Sequence, residues 1–298
     1  MSQFDAVFQF GFLAPPNLRL PGCVSLPPPY SFLVAILSID LACRRWTDLG
    51  IVMLDRVRPP ASPLPWAGLL ASPIECQVLP MGPEGEPDGP VDPEILAGRL
   101  NHLCAVRNIH ILMLDGPQAW KSEKNGLEHA RLGERQLNTV AKTGLPGLVK
   151  PANHRNYSEF CIDVYDALCR RGWRRLDKRE RDADPRQRVL VESNPHAAWR
   201  SLGLRPLPTK RRAHISDLAA AYAALRSVVP FTTDRPPNHD QLQALVSGLA
   251  GLALEEHNNS ALRIYGAPPR RENGHWREGF IVLPVPPPRS ASGFRWLN

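Results

Sequence analysis

Three acids in this chain stand where apolar strands would end. Val34-Ala35-Ile36-Leu37-Ser38-Ile39 runs into Asp40, Ile109-His110-Ile111-Leu112-Met113-Leu114 into Asp115, and Val189-Leu190-Val191 into Glu192. Carboxylates are almost never buried unless paired or bound to a cation, so an acid closing such a run points to chemistry more than to packing. Acids at the carboxyl ends of three strands predict one acidic cluster at one edge of a sheet. Each also has a plainer reading. Asp115 precedes Gly116-Pro117, where Asp commonly opens a turn, and Glu192 can pair with an arginine. A fourth acid, Asp240, falls in the first turn of an expected helix, where the macrodipole favours any carboxylate. Arg131 and Arg135 lie four apart, on one face if helical, in the segment that leaves Asp115. Either can grip a phosphate, or pair with Glu128 or Glu134. The run Arg170, Arg171, Arg174, Arg175, Lys178, Arg179, Arg181 reads as a phosphate track or as a solvated face broken by Asp177, Glu180, Asp182 and Asp184.

The elements that must hold these residues follow from periodicity and punctuation. Strands are expected at Phe32–Leu41, Thr47–Val57 and Ile74–Leu79, close enough in sequence for an antiparallel meander. Asp92 caps a helix that starts on Pro93 and runs to Val106, with Ile95, Leu96, Leu100, Leu103 and Val106 at helical spacing. It feeds the strand Ile109–Asp115, which should lie parallel to the first. A loop with one short helix near Leu127–Thr139 follows, then a helix Glu159–Arg171 capped by Ser158. Next come a strand Arg188–Glu192, a short helix opened by Asn194-Pro195, and a longer helix Lys210–Val228. Asn238, with Gln241 at the capping-box position, starts a helix over Asp240–His257. Two short apolar pieces, Leu262–Tyr265 and Gly279–Leu283, close the chain.

Composition sets wide bounds. The 298 residues are 43% hydrophobic and 22% charged, a globular balance. The 32 prolines, about twice the usual share, gather at Pro15–Pro29 and Pro59–Pro93. Residues 1–30 therefore read as a Pro-rich, disordered extension, 31–285 as the folded domain and 286–298 as a tail. A net charge of +7 permits a polyanionic partner. The six cysteines show no CxxC spacing, which argues against structural zinc or a disulfide framework and for a reducing, cytoplasmic setting. No apolar run reaches the ~20 residues of a membrane span, so no membrane role is expected. No Gly-rich phosphate loop follows a strand, which weighs against a nucleotide-dependent phosphotransferase.

Ser38-Ile39-Asp40-Leu41-Ala42, Leu114-Asp115-Gly116-Pro117, Val191-Glu192-Ser193-Asn194-Pro195-His196-Ala197-Ala198-Trp199 and His239-Asp240-Gln241-Leu242-Gln243-Ala244-Leu245, with the tail Glu278-Gly279-Phe280-Ile281-Val282-Leu283-Pro284, resemble the DUF429 family of predicted nucleases. The likeness spans roughly residues 32 to 285. It implies an α/β, ribonuclease H-like fold: a mixed five-stranded sheet, three strands antiparallel and two parallel, flanked by helices. It also implies that Asp40, Asp115, Glu192 and Asp240 meet as catalytic, metal-binding carboxylates. Clustered carboxylates either take up protons or bind a divalent cation, and hard oxygen ligands select Mg²⁺ or Mn²⁺. Two such ions ~4 Å apart can activate water and stabilise a leaving oxygen. The related pattern often carries a second Asp three residues into the last helix. Here that position is Gln243, which brings no charge and weakens a second metal site. The resulting expectation is a metal-dependent nuclease acting on DNA or RNA. The alternative is a degraded ribonuclease H-like protein that binds nucleic acid or a partner without cutting.

Overall fold

β1 (Leu33–Asp40) and β2 (Gly50–Val57) pair antiparallel with Ile39 opposite Ile51 and Asp40 opposite Gly50, and β3 (Ile74–Val78) adds antiparallel to β2. The computed structural model describes residues 33–57, 74–79, 88–179, 184 and 186–286. The expected extension over 1–30, and all but the first residue of the expected tail over 286–298, fall outside these. β4 (Ile111–Asp115) pairs parallel with β1, Ile39 beside Leu114, and β6 (Val189–Ser193) pairs parallel with β4. The five expected strands thus stand in the order β3-β2-β1-β4-β6.

The sheet does not stop at five strands. Among the described residues it has nine. A three-residue strand, β7 (Phe231–Thr233), pairs parallel with β3, and a two-residue strand, β5 (Arg174–Arg175), pairs parallel with β6. Both are too short to show periodicity. The two closing apolar pieces prove to be the inner ends of a long hairpin. β8 (Leu262–Glu272) and β9 (His275–Pro284) pair antiparallel, and β9 pairs parallel with β6 through Glu192 and Ile281. Their outer halves are rich in Arg, Pro and Gly because β8 is an edge strand with exposed positions, so they lack the alternation of a half-buried strand.

The faces of the sheet are covered differently. On β1, Leu37 and Ile39 face the core shared with α1 (Pro93–Val106) and α3 (Arg155–Arg170). Ile36 faces the core made with α4 (Pro195–Ser201), α5 (Ile215–Val228) and α6 (His239–Glu255). α1 matches its sequence reading because Asp92 accepts the amide of Ile95 and Pro93 takes the first position. α3 begins four residues before the expected Glu159, running on from a turn over Ala152–His154, and leaves Ser158 buried inside it and not at its cap. α5 begins at Ile215 on His214, with Asp217 closing a capping box, so Lys210 lies in the preceding loop. α6 starts as expected on Asn238, whose side chain accepts the amide of Gln241.

α6 seats directly on the strands. A Cβ on Gly248 would come 2.6 Å from Leu54 and one on Gly251 2.7 Å from Met113. Ser38 Oγ donates to the Ala244 carbonyl at 2.7 Å, tying β1 to the helix. At the helix start the fit is closest: a Cβ on Gly50 would lie 2.2 Å from the Asp240 carbonyl group. Gly50 is the cross-strand partner of Asp40, so the missing side chain is what lets the first turn of α6 reach the end of β1.

Candidate functional site

Asp40 and Asp115 come together. Register sets Ser38 beside Met113, so two residues on, at the carboxyl ends of adjacent parallel strands, the two acids fall side by side and on one face. That face is the α6 side, shared with Ile36 and Met113. Both residues are half-buried. A side-chain hydrogen bond links their carboxyls. Burial, then the charges of Asp115 and Asp240, hold the Asp40 carboxyl well above the usual carboxylate range, with Lys210 acting against them. Burial pushes Asp115 up to about 7, with the Glu192 charge adding and the Asp40 hydrogen bond subtracting. The turn after Asp115 uses Gly116 at φ +121°, a conformation open to glycine, and a Cβ there would strike Cys161 Sγ at 2.5 Å.

Glu192 is one residue out of phase. It pairs in register with Leu114, and Asp115 pairs with Ser193. A strand alternates faces with period two, so Glu192 follows Leu190 to the α1/α3 side. There it meets Arg131, whose guanidinium donates to its two oxygens at 2.8 and 2.5 Å, and the Gln118 amide at 3.0 Å. Arg131 also holds Glu134 at 3.0 Å and is itself 2% exposed. It precedes the first residue of α2 (Leu132–Leu137). Burial pushes Glu192 up and the Arg131 charge opposes that. Arg131 is therefore buried and engaged by two carboxylates where it lines the cleft at the strand ends, whereas Arg135 is exposed.

Asp240 sits in the first turn of α6, buried, with both oxygens engaged. Oδ1 meets His239 Nδ1 at 3.1 Å, and Oδ2 accepts from Lys210 Nζ. The other His239 nitrogen meets the Pro208 carbonyl at 2.9 Å. Both contacts are satisfied together only by the doubly protonated ring, and despite burial the hydrogen bond to Asp240 raises the His239 pKa. Lys210 Nζ also reaches Asp48 Oδ1 at 2.7 Å, in the loop between β1 and β2. Gln243 turns to α4, where its amide oxygen accepts from the buried Trp199 indole at 2.8 Å.

A cleft opens at the ends of β4 and β6, lined by Asp115, Tyr157, Glu192, Ser193, Asn194 and His196 among others. Asp40 is outside its lining. Ser193 Oγ, on the Asp115 face by register, is buried with no hydrogen-bond partner among the described residues. The fit to a divalent ion is therefore partial. Among the described residues no three His, Cys, Asp or Glu side chains are grouped to hold a metal. Two carboxylates that repel each other and an orphan hydroxyl do stand in one row across β1, β4 and β6. Mg²⁺ needs no more protein than that, since it is commonly held by one or two carboxylates, waters and substrate phosphates.

Four members of the basic run have partners within the protein, and Arg181 lies outside the described residues. Arg170 and Arg171 pair with Glu94, the second at 2.7 Å, buried Arg175 holds Asp166 at 2.6 Å and stacks on Trp276, and Arg179 donates to the Ile264 carbonyl. Ser193 had a signal in the sequence, because it shares the pleat of Val189 and Val191. Lys210 stands in the basic stretch Lys210-Arg211-Arg212, readable as a phosphate contact, but no spacing rule ties a loop lysine to Asp240 30 residues on.

No family model and no curated protein matches the chain. Among solved structures, the Thermus thermophilus RuvC structure aligns with 9% identity, covering 75% of this chain and 97% of that one, at a TM-score of 0.32. No helix among the described residues is long and apolar enough to cross a membrane.

Proposed function

We propose that this chain is a divalent-metal-dependent nuclease of ribonuclease H-like fold, a relative of the DUF429 family, hydrolysing phosphodiester bonds of DNA or RNA. One observation carries the reading: Asp40 and Asp115 stand side by side at the ends of adjacent parallel strands, with burial and neighbouring charge raising the proton affinity of both. Such a pair exchanges its proton for a hard cation once one is offered. Asp40 and Asp115 are the proposed ligands, with Mg²⁺ or Mn²⁺ as the ion. When bound, the ion supplies charge stabilisation at a phosphate and an activated water. Asp40 and Asp115 hold it, Asp240 and Glu192 shape the field on either side, and exposed Arg135 is left to meet the backbone of the nucleic acid.

A second reading rests on an observation of its own. Glu192 and Asp240 are each committed to a protein cation, Arg131 and Lys210, as in a site that has given up catalysis and kept binding. Cleavage separates the two. With Mn²⁺, wild-type protein is expected to cut at least one of single-stranded, duplex or branched DNA or RNA, and Asp40→Asn to bind the same substrate without cutting it. Salt-sensitive binding with no cleavage of any of these would establish the second reading.

A further inference from the structure

We infer that Lys210 is a built-in counter-charge that takes the cation position at Asp240, so that the carboxylate cluster accepts one divalent ion, at Asp40 and Asp115, and not two. The inference deepens the nuclease reading and rests on it for its chemistry, although the charge arrangement is independent of catalysis.

Lys210 reaches inward from the loop before α5, and its Nζ spans two elements, Asp48 after β1 and Asp240 at the start of α6. Asp48 does not need it. Arg45 already holds that carboxylate through two hydrogen bonds at 3.0 Å. The charge of Lys210 therefore belongs to Asp240, whose other oxygen is taken by His239. With nitrogen on both oxygens, Asp240 presents no free carboxylate edge to an ion, and a second divalent cation would have to displace an ammonium. On the opposite face Arg131 does the same to Glu192, with both oxygens occupied. Of four acids at the strand and helix ends, two are neutralised by protein cations. The two that remain carry the charge that a single divalent ion balances.

The position suits a cation with a task. Lys210 Nζ bonds Asp240 in the first turn of α6, which Gly50, the cross-strand partner of Asp40, lets reach the end of β1, so its ammonium stands close to the proposed ion. A fixed positive charge there would face the phosphate oxygens from the α6 side, the role that lysines, arginines and metals share in phosphoryl-transfer sites.

Manganese binding to the full chain tests this, read from the free-ion electron paramagnetic resonance signal. Wild type is expected to take up one Mn²⁺. Lys210→Met, which keeps the side-chain length and half-exposed packing, is expected to take up a second, or to bind the first ~10-fold or more tightly, the scale on which one adjacent charge shifts a carboxylate. Lys210→Met with Asp240→Asn should return to the wild-type curve, and Lys210→Arg should stay on it. Two ions in wild type would overturn the inference, as would the same count and affinity in Lys210→Met, including none in either. Cleavage is a separate readout. If no form of the protein cuts nucleic acid but Lys210→Met still gains manganese, the nuclease reading falls and the counter-charge stands.

Discussion

Replacing Asp40 with asparagine should stabilise the metal-free protein, and the gain should grow with pH. Burial of the Asp40 carboxyl, with the charges of Asp115 and Asp240 adding to it, is the reason: folding holds that carboxyl well above the 3.8 of an unperturbed aspartate. A folded-state pKa above the unfolded one means that the folded state binds the proton more tightly. The associated stability is fully present below pH ~4 and is lost as pH rises through the folded-state pKa. Each tenfold rise in proton affinity corresponds to ~1.4 kcal/mol, less what solvent screens at this half-exposed position. The asparagine side chain cannot ionise and still donates to Asp115, so it removes the repulsion and keeps the hydrogen bond. At pH 8 with chelator, Asp40→Asn should therefore melt higher than wild type by several degrees, given ~2–4 °C per kcal/mol for domains of ~150–250 residues. The two should converge toward pH 4.5. Adding Mn²⁺ at pH 8 should raise wild type and leave Asp40→Asn nearly unmoved, because only a native-state ligand stabilises by mass action. Thermal melts over pH 4.5–8.5 settle it. A constant difference between the two proteins across that range, or an equal manganese gain in both, would refute the argument that these carboxyls repel one another and share an ion.

Other perturbations reach the parts that position the pair. Gly50→Ala puts a Cβ 2.2 Å from the Asp240 backbone and should cost ~1–3 kcal/mol by urea denaturation as α6 is pushed off β2; an unchanged midpoint would mean that the helix start has room. Arg131→Met strands buried Glu192 and Glu134 without their cation and should cost ~3–5 kcal/mol, part of it recovered by adding Glu192→Gln. No recovery would show that Arg131 matters through its packing alone. Ser193→Ala leaves no buried partner unpaired, so its melting temperature should hold while its manganese affinity falls by ~3-fold or more, the size of a modest hydrogen-bonding contribution; unaltered affinity in calorimetry would remove Ser193 Oγ from the site.

Much of the frame was legible because the local signals and the packing agree. The five-strand nucleus, the parallel step from β1 to β4, and α1 and α6 with their caps all follow from apolar period and capping residues. β5 and β7 escaped because two or three residues hold no period, and the outer hairpin because its edge carries arginine and proline in place of alternating apolar residues. The site divided along a similar line. Asp40 and Asp115 meet because both stand two residues beyond a registered pair on one face. Glu192 was read as an equal third because it too ends a strand, but the pleat turns it over and Arg131 closes on it. The parity of Leu190 and Glu192 was in the sequence. The reach of Lys210 to Asp240 was not, since a contact across a loop is decided by tertiary packing.

The most direct measurement is the anomalous scattering of manganese in crystals grown or soaked with Mn²⁺ near neutral pH. The account predicts one strong peak in contact with carboxylate oxygens of both Asp40 and Asp115, on the α6 face, with Lys210 still on Asp240 and Arg131 still on Glu192. No peak at these two residues, or one held by Glu192 after Arg131 has moved away, would contradict it.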